Sequence, residues 1–335
     1  MLVALLFFES MIVRTTPLKL LLPALVVVLG ICMTAGCTSD TATPKTTATA
    51  TTAPAAGNAF ALLNQSAADD RAASALLIRL QSDITVALEA LDGRLSRAAS
   101  RLGATGLNDT AARAILSNLT ATSPAIADSV VVSAEGILIA AEPAAYHGAE
   151  GADIRYQEHV QRILSSKRPV MSEVITVEEG FPAVVLATPI FTNESRFAGF
   201  AAVVFRPEIL IGDAAGPAVN GTPFQAMVVQ TDGQVLYDTD PDQVGRMTFE
   251  DPLYADYPDL LDVARRVATE RHGTATYAFT AGGQVVQKEI AWTTTGLHGA
   301  EWRVAVIREA SPHPASGSSS HIPSRFPSVS SMTAK

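Results

Sequence analysis

From residue 60 to residue 102 apolar side chains return every three or four positions, at Leu77, Leu80, Ile84, Leu88, Leu91, Leu95, Ala98 and Leu102. That spacing is the period of an α-helix with one apolar face. Asp70, Arg71, Arg79, Asp83, Glu89, Arg94 and Arg97 supply the polar face. Gly93 is the interior breaker, and Gly103 and Gly106 mark the end. A single stripe predicts a long helix lying along another surface, not one buried all round. A second helix is predicted over about 109–120, opened by Asn108 or Asp109.

Beyond residue 128 the pattern becomes one of short apolar runs between turn residues. Ser129–Ser133 and Ile137–Ala141 read as strands around Ala134-Glu135-Gly136. Asp153 is expected to cap a helix over about 154–166, with Val160, Ile163 and Leu164 inward. Strands follow at about 169–177, 182–191 and 197–206, with turns at Glu179-Gly180 and Asn193–Arg196. The order then begins again. QAMVVQTDGQVLYDTD (225–240) echoes DSVVVSAEGILIAAEP (128–143), and Asp232-Gly233 matches Glu135-Gly136 at a distance of 97 residues. A helix at about 258–271, carrying Leu260, Leu261, Ala264 and Val267, precedes strands at about 274–280, 284–294 and 301–308. The prediction is an α+β chain: helices over 59–127, then two tandem units with antiparallel sheets, 128–212 and 213–310. Residues 311–335, rich in Ser, Pro and His, read as a disordered tail.

The N-terminus carries a different message. Arg14 and Lys19 precede the apolar run Leu20–Ile31, and small residues lead to Cys37. Basic, apolar and small is the order of an export signal, assigned to 1–36. Met33-Thr34-Ala35-Gly36-Cys37 resembles the lipobox of prokaryotic lipoproteins, which implies lipidation of Cys37. An uncleaved membrane anchor over Leu20–Gly36 is the alternative. Residues 1–10 lack a basic residue, and a start at Met11 would give a compact signal. Residues 37–58, rich in Thr, Ala and Pro, cannot bury enough apolar surface to fold and are assigned as a linker.

Composition narrows the function. Net charge is −9 with no basic block, which disfavours nucleic acid as a partner. The only cysteines, Cys32 and Cys37, lie in the export segment, so no thiol serves metal, redox or nucleophilic chemistry elsewhere. Five of the six asparagines, Asn64, Asn108, Asn118, Asn193 and Asn220, sit in N-glycosylation patterns. With the lipobox, this points to an archaeal cell-surface lipoprotein on the outer face of the membrane.

The order of elements resembles the double Cache extracellular sensor family. GADIRYQEHVQRILSSKRPVMSEV (151–174) is similar to the helix and strand of its membrane-distal unit, and FPAVVLATPIF and FAGFAAVVF to the paired strands that follow. MVVQTDGQVLYDTDPDQVG (227–245) and TTTGLHGAEWRVAVIRE (293–309) are similar to the opening and last hairpin of the membrane-proximal unit. The resemblance covers about 60–310. It implies a PAS-like fold, a non-enzymatic role, no cofactor, and a small polar ligand in the distal unit, at roughly 139–200. It also implies a homodimer through the long helix. No apolar span follows residue 310, so signalling would need a separate membrane protein. The family's amino-acid-binding subset has an arginine and two aromatics at positions occupied here by Gln157, His159 and Val160, which argues against an α-amino acid.

Tyr156, His159 and Arg162 are spaced to share one helical face and offer hydrogen bonds and a cation to a ligand, with Tyr146 and Arg155 as further candidates. Asp238-Thr239-Asp240-Pro241-Asp242 has the alternating acids of a calcium loop but Gln243 and Phe249 where Gly and Glu are needed. The six histidines show no close ligand pairing, so no metal is expected. Trp292 and Trp302 are expected in the core, and no catalytic motif is present. The alternatives to a sensor are an envelope adaptor acting through the long helix and a solute-binding component of a transporter.

Overall fold

The computed structural model describes residues 56–177, 181–281 and 284–310. The expected signal with Cys37, nearly all of the linker, the Glu179-Gly180 turn and the tail lie outside the described residues.

The periodic stripe forms helix α1, Ala56–Thr105, 50 residues long. Asp109 caps α2, Thr110–Thr120, by accepting from the Ala112 amide at 2.7 Å. The first sheet comprises β1 (Ile126–Ser133), β2 (Leu138–Glu142), β3 (Val170–Met171), β4 (Ile175–Thr176), β5 (Pro182–Phe191) and β6 (Phe197–Phe205). Helix α3 is Glu158–Ser166, and α4, Pro207–Val219, leads out of the unit. The second sheet comprises β7 (Gln225–Gln230), β8 (Val235–Asp238), β9 (Gly273–Ala281), β10 (Gln284–Leu297) and β11 (Ala300–Glu309), with α5 at Pro258–Thr269.

Strand order is β2-β1-β6-β5-β3 in the first sheet and β8-β7-β11-β10-β9 in the second, antiparallel throughout. The paths are the same, so the repeat read from sequence is a repeat of topology. It extends to detail. Gly136 and Gly233 close the first hairpins at φ +80° and +97°, a region costly for any residue with a Cβ. Each hairpin is followed by an isolated bridge, Ile137 to Asp153 and Gln234 to Met247.

Both sheets lay one face on α1. Leu80, Ile84, Leu95 and Leu102 are completely buried, in one core with Leu186 and Val203 of the first sheet and Val304 and Trp302 of the second. The opposite faces are covered by α3 on the first sheet and α5 on the second. Trp292 packs under α5 and Trp302 toward α1, so the two tryptophans lie on opposite faces of adjacent strands. Polar ties reinforce the seam: Gln81 donates to the Thr294 carbonyl (2.7 Å), and Asp92 pairs with His298 (2.9 Å). Buried Arg303 donates to the Val267 and Glu270 carbonyls (both 3.1 Å), satisfying the end of α5.

Four expectations are corrected. Helix α3 begins at Glu158, not 154, because Asp153 is not its cap. The Asp153 carboxylate accepts from the Arg155 amide (3.1 Å) and Arg155 Nε (2.9 Å), and residues 154–157 form turns. The predicted strand 169–177 is two short pieces. Helix α4 was not foreseen, because Pro207, Gly212, Gly216 and Pro217 break the pattern, and the expected unit boundary at 212/213 falls inside it. The apolar stripe of α1 is covered by the chain's own sheets, so it is not the surface offered to another chain, as the adaptor reading requires. Ile78 and Val86 remain exposed, at 66% and 60%.

Two isoleucines on α1 test this arrangement. Ile84→Ala should lower unfolding stability by about 2–5 kcal/mol, the cost of a cavity in a core that cannot collapse. Ile78→Ala should stay within about 0.5 kcal/mol of the parent. Equal losses in urea titrations would mean that the stripe is not the shared core.

Candidate functional site

The five candidates of the first unit do not converge on one pocket. Tyr146 lies in a short 3-10 helix, Ala144–Ala149, and packs with Ile154 and Leu164 against the core that contains Phe200. Arg155 is exposed and paired with Asp153. Tyr156 is 73% exposed and precedes α3, so the expected shared helical face does not form. His159 is buried, and desolvation with the nearby Arg162 lowers its pKa to about 4, leaving a neutral core ring. Arg162 reaches the His298 carbonyl (3.4 Å) on the β10–β11 hairpin, a contact between units.

In the first unit Tyr146, Ile154 and Leu164 pack against the core between the sheet and α3. The equivalent space in the second unit is a cavity of about 190 Å3 between the second sheet, α5 and the 241–254 segment. It is smaller than the ~300 Å3 at the low end of drug-sized sites, so it suits a small metabolite.

Secondary structure dictates what faces it. Alternation on β9 puts Tyr277 and Phe279 on one side, with Lys288 and Ile290 beside them on β10. Val263 and Val267 come from the inner side of α5. Asp238 ends β8, and Phe249 and Tyr254 come from the crossing segment. The Phe249 ring lies so close to Gly233 that a Cβ there would meet it at 2.6 Å. Tyr254 donates to Gln243 Oε1, and Tyr257 stacks on Phe279 with centroids 4.8 Å apart.

The charges are unevenly satisfied. Lys288 donates to Gln225 Oε1 (3.0 Å) and lies 5.2 Å from the Phe279 ring centre. Asp240 accepts from the Asp242 amide (3.1 Å) and Gln243 Nε2 (3.2 Å). Asp238 uses only Oδ1, toward the Asp240 amide (2.8 Å) and Thr239 hydroxyl (3.4 Å). Burial pushes the Asp238 carboxyl up to about 6, with Asp240 adding to the rise. Burial likewise raises the Tyr277 hydroxyl, which makes no hydrogen bond among the described residues. Sequence reading missed this site. Two signals were present: the alternation of Tyr277 and Phe279, and Asp238 closing a strand inside the acid pattern weighed and set aside as a calcium loop. Among the described residues no three His, Cys, Asp or Glu side chains are grouped to hold a metal ion.

Comparisons with known proteins agree with this architecture. Residues 86–207 match the family model described as HK/GC/Chemotaxis protein-like, sensor domain. No curated protein is similar in sequence. An extracellular ligand binding receptor from Desulfohalobium retbaense superposes with a TM-score of 0.57 at 27% identity, over 70% of this chain and 39% of that one. The chain thus spans well under half of that receptor. The ligand-binding domain of Pseudomonas fluorescens chemoreceptor CtaA, in complex with L-alanine, gives 0.51 at 17% identity, over 70% and 95%. That of the Pseudomonas aeruginosa chemoreceptor PctC, in complex with GABA, gives 0.50 at 18%, over 70% and 97%. The fold is that of tandem Cache-like domains.

Proposed function

We propose that this chain is an extracytoplasmic, non-enzymatic sensor that binds a small molecule in the cavity over its second sheet. The observation that carries the reading is the cavity itself: aromatic and aliphatic walls enclose an under-satisfied carboxylate, Asp238, and an unpartnered hydroxyl, Tyr277. The sensor-domain match supports the role, and the L-alanine and GABA complexes of two structural neighbours support a ligand of small size.

The surroundings fit the same reading. Asn64, Asn108, Asn118, Asn193 and Asn220 are all exposed, as glycan acceptors must be. Cys37 would tether the chain by lipid, with the Thr/Ala/Pro run as spacer. No helix of the described residues is long and apolar enough to cross a membrane. Ile78 and Val86 give the outer face of α1 apolar contacts for a second copy.

A thermal-shift screen of amino acids, carboxylates, amines and purines should yield at least one stabilising compound. The response should vanish in Ala264→Phe, which fills the cavity from α5. A hit unaffected by that substitution would place the site elsewhere.

The pH dependence of stability reports on Asp238 directly. Its carboxyl titrates at about 6 in the fold against 3.8 free, so the folded chain retains a proton that the unfolded chain has lost. The associated stability is complete below about 3.8 and is lost as pH rises through about 6. Asp238→Asn should therefore gain on the parent between pH 4 and 7, by on the order of 2 kcal/mol in denaturant titrations. His159, depressed to about 4, has the opposite slope, losing stability as pH falls, and cancels in the difference. A constant difference across the range would mean that Asp238 is solvated.

Cys37→Ser should release the chain from the membrane fraction. Retention with the whole signal still attached would favour the uncleaved anchor.

A further inference from the structure

Taking the cavity over the second sheet as the ligand site, we infer that its occupant is a small organic cation, its ammonium group seated on Asp238 within the walls formed by Phe249, Tyr254, Tyr277 and Phe279. The inference deepens the reading above and rests on it.

The first ground is charge accounting around the cavity. Lys288 is already engaged by Gln225 and the Phe279 ring. Asp240 spends both oxygens on the turn at 241–243. Asp238 Oδ2 alone has no partner among the described residues. A carboxylate enclosed with an open oxygen is costly, and a cation placed against it would repay the desolvation in charge-assisted hydrogen bonds. An anion would meet that carboxylate, and the one ammonium among the lining residues, Lys288, already gives a hydrogen bond to Gln225 and lies over the Phe279 ring.

The second ground is the wall. Four aromatic residues line about 190 Å3 of space, and aromatic faces attract ammonium groups by roughly 0.5–2 kcal/mol each. The third is the balance of hydrogen-bonding atoms. Tyr277 is 92% buried with its hydroxyl unpartnered. Tyr254 gives its proton to Gln243, which leaves its oxygen as an acceptor. Beside Asp238 the open groups are thus a carboxylate oxygen and two phenolic oxygens, of which the Tyr277 hydroxyl can accept or donate. This set favours a donor, and size limits it to a small amine.

Calorimetry on the purified chain at neutral pH tests this with four probes of similar bulk: n-butylamine, tetramethylammonium, butyramide and butyrate. n-Butylamine should bind most tightly, tetramethylammonium, a cation without an N–H, less tightly, and the neutral amide and the anion at least tenfold more weakly than the amine. Asp238→Asn, checked for native circular dichroism, should weaken n-butylamine at least tenfold. Tyr277→Phe, which keeps the ring, should weaken it about threefold. Butyramide or butyrate binding as tightly as the amine would overturn the cation assignment while leaving the cavity as a ligand site. So would binding of neither cation alongside a hit in the wider metabolite screen that Ala264→Phe abolishes. Undiminished amine binding by Asp238→Asn would overturn the role given to the carboxylate.

Discussion

The structure depends on one stripe of side chains. Along α1, Leu80, Ile84, Leu88, Leu91, Leu95 and Leu102 are withdrawn from water by two sheets at once. At roughly 1.5–3 kcal/mol for each large apolar side chain, this contact is the main reason a helix of such length is stable. It also explains how the two units are arranged. Each sheet has two apolar faces, and each spends one on the common helix. The other face needs its own cover, supplied by α3 in the first unit and α5 in the second. The units therefore differ in what lies over their outer faces.

That difference decides where open space remains in the second unit. In the first unit the covering segment folds back closely: Tyr146, Ile154 and Leu164 pack onto a sheet face carrying Phe200. In the second the crossing segment is held off the sheet by its own bonds. Asp251 caps a 3-10 turn at 252–254 and pairs with Arg246 (2.7 Å), while Gln243 holds Tyr254. The segment is thus braced over the sheet and the space beneath stays open.

How much of this was readable follows from what each feature depends on. Period and turn chemistry are local, so α1, α2, α5 and the paired long strands of both sheets were legible, as was the repeat through Gly136 and Gly233. Helix α4 was hidden because its prolines and glycines are tolerated only by tertiary packing; Ile211 and Ala215 are buried in the shared core. The false start of α3 came from reading Asp153 as a cap when its carboxylate was claimed by Arg155, a competition that spacing does not reveal. The cavity itself was illegible for a similar reason: Tyr277, Phe279 and Asp238 signal a lining, but open space is the difference between two packings. Arg303 reads as an alternating strand residue, and only the fold shows it closing the end of α5.

A cavity is useful to a sensor only if its occupancy reaches something beyond it, and strand alternation supplies the connection. Lys288 and Ile290 of β10 and Ile307 of β11 face the cavity. Their neighbours Glu289 and Arg308 face α1, where they stand opposite one another across the two strands. Arg308, 9% exposed, binds Glu289 through Nε (2.7 Å) and also Asp70 of α1. Farther along β10, Thr294 and Thr295 meet Gln81 and Thr85 of the same helix. Interiors packed to near-crystalline density transmit displacement rather than absorb it. An occupant that shifted β10 and β11 would therefore act on the helix at Asp70, toward its N-terminal end, and again three to four turns on. The shared apolar stripe makes the helix common to both units, and these polar grips make it the element through which the second unit is felt.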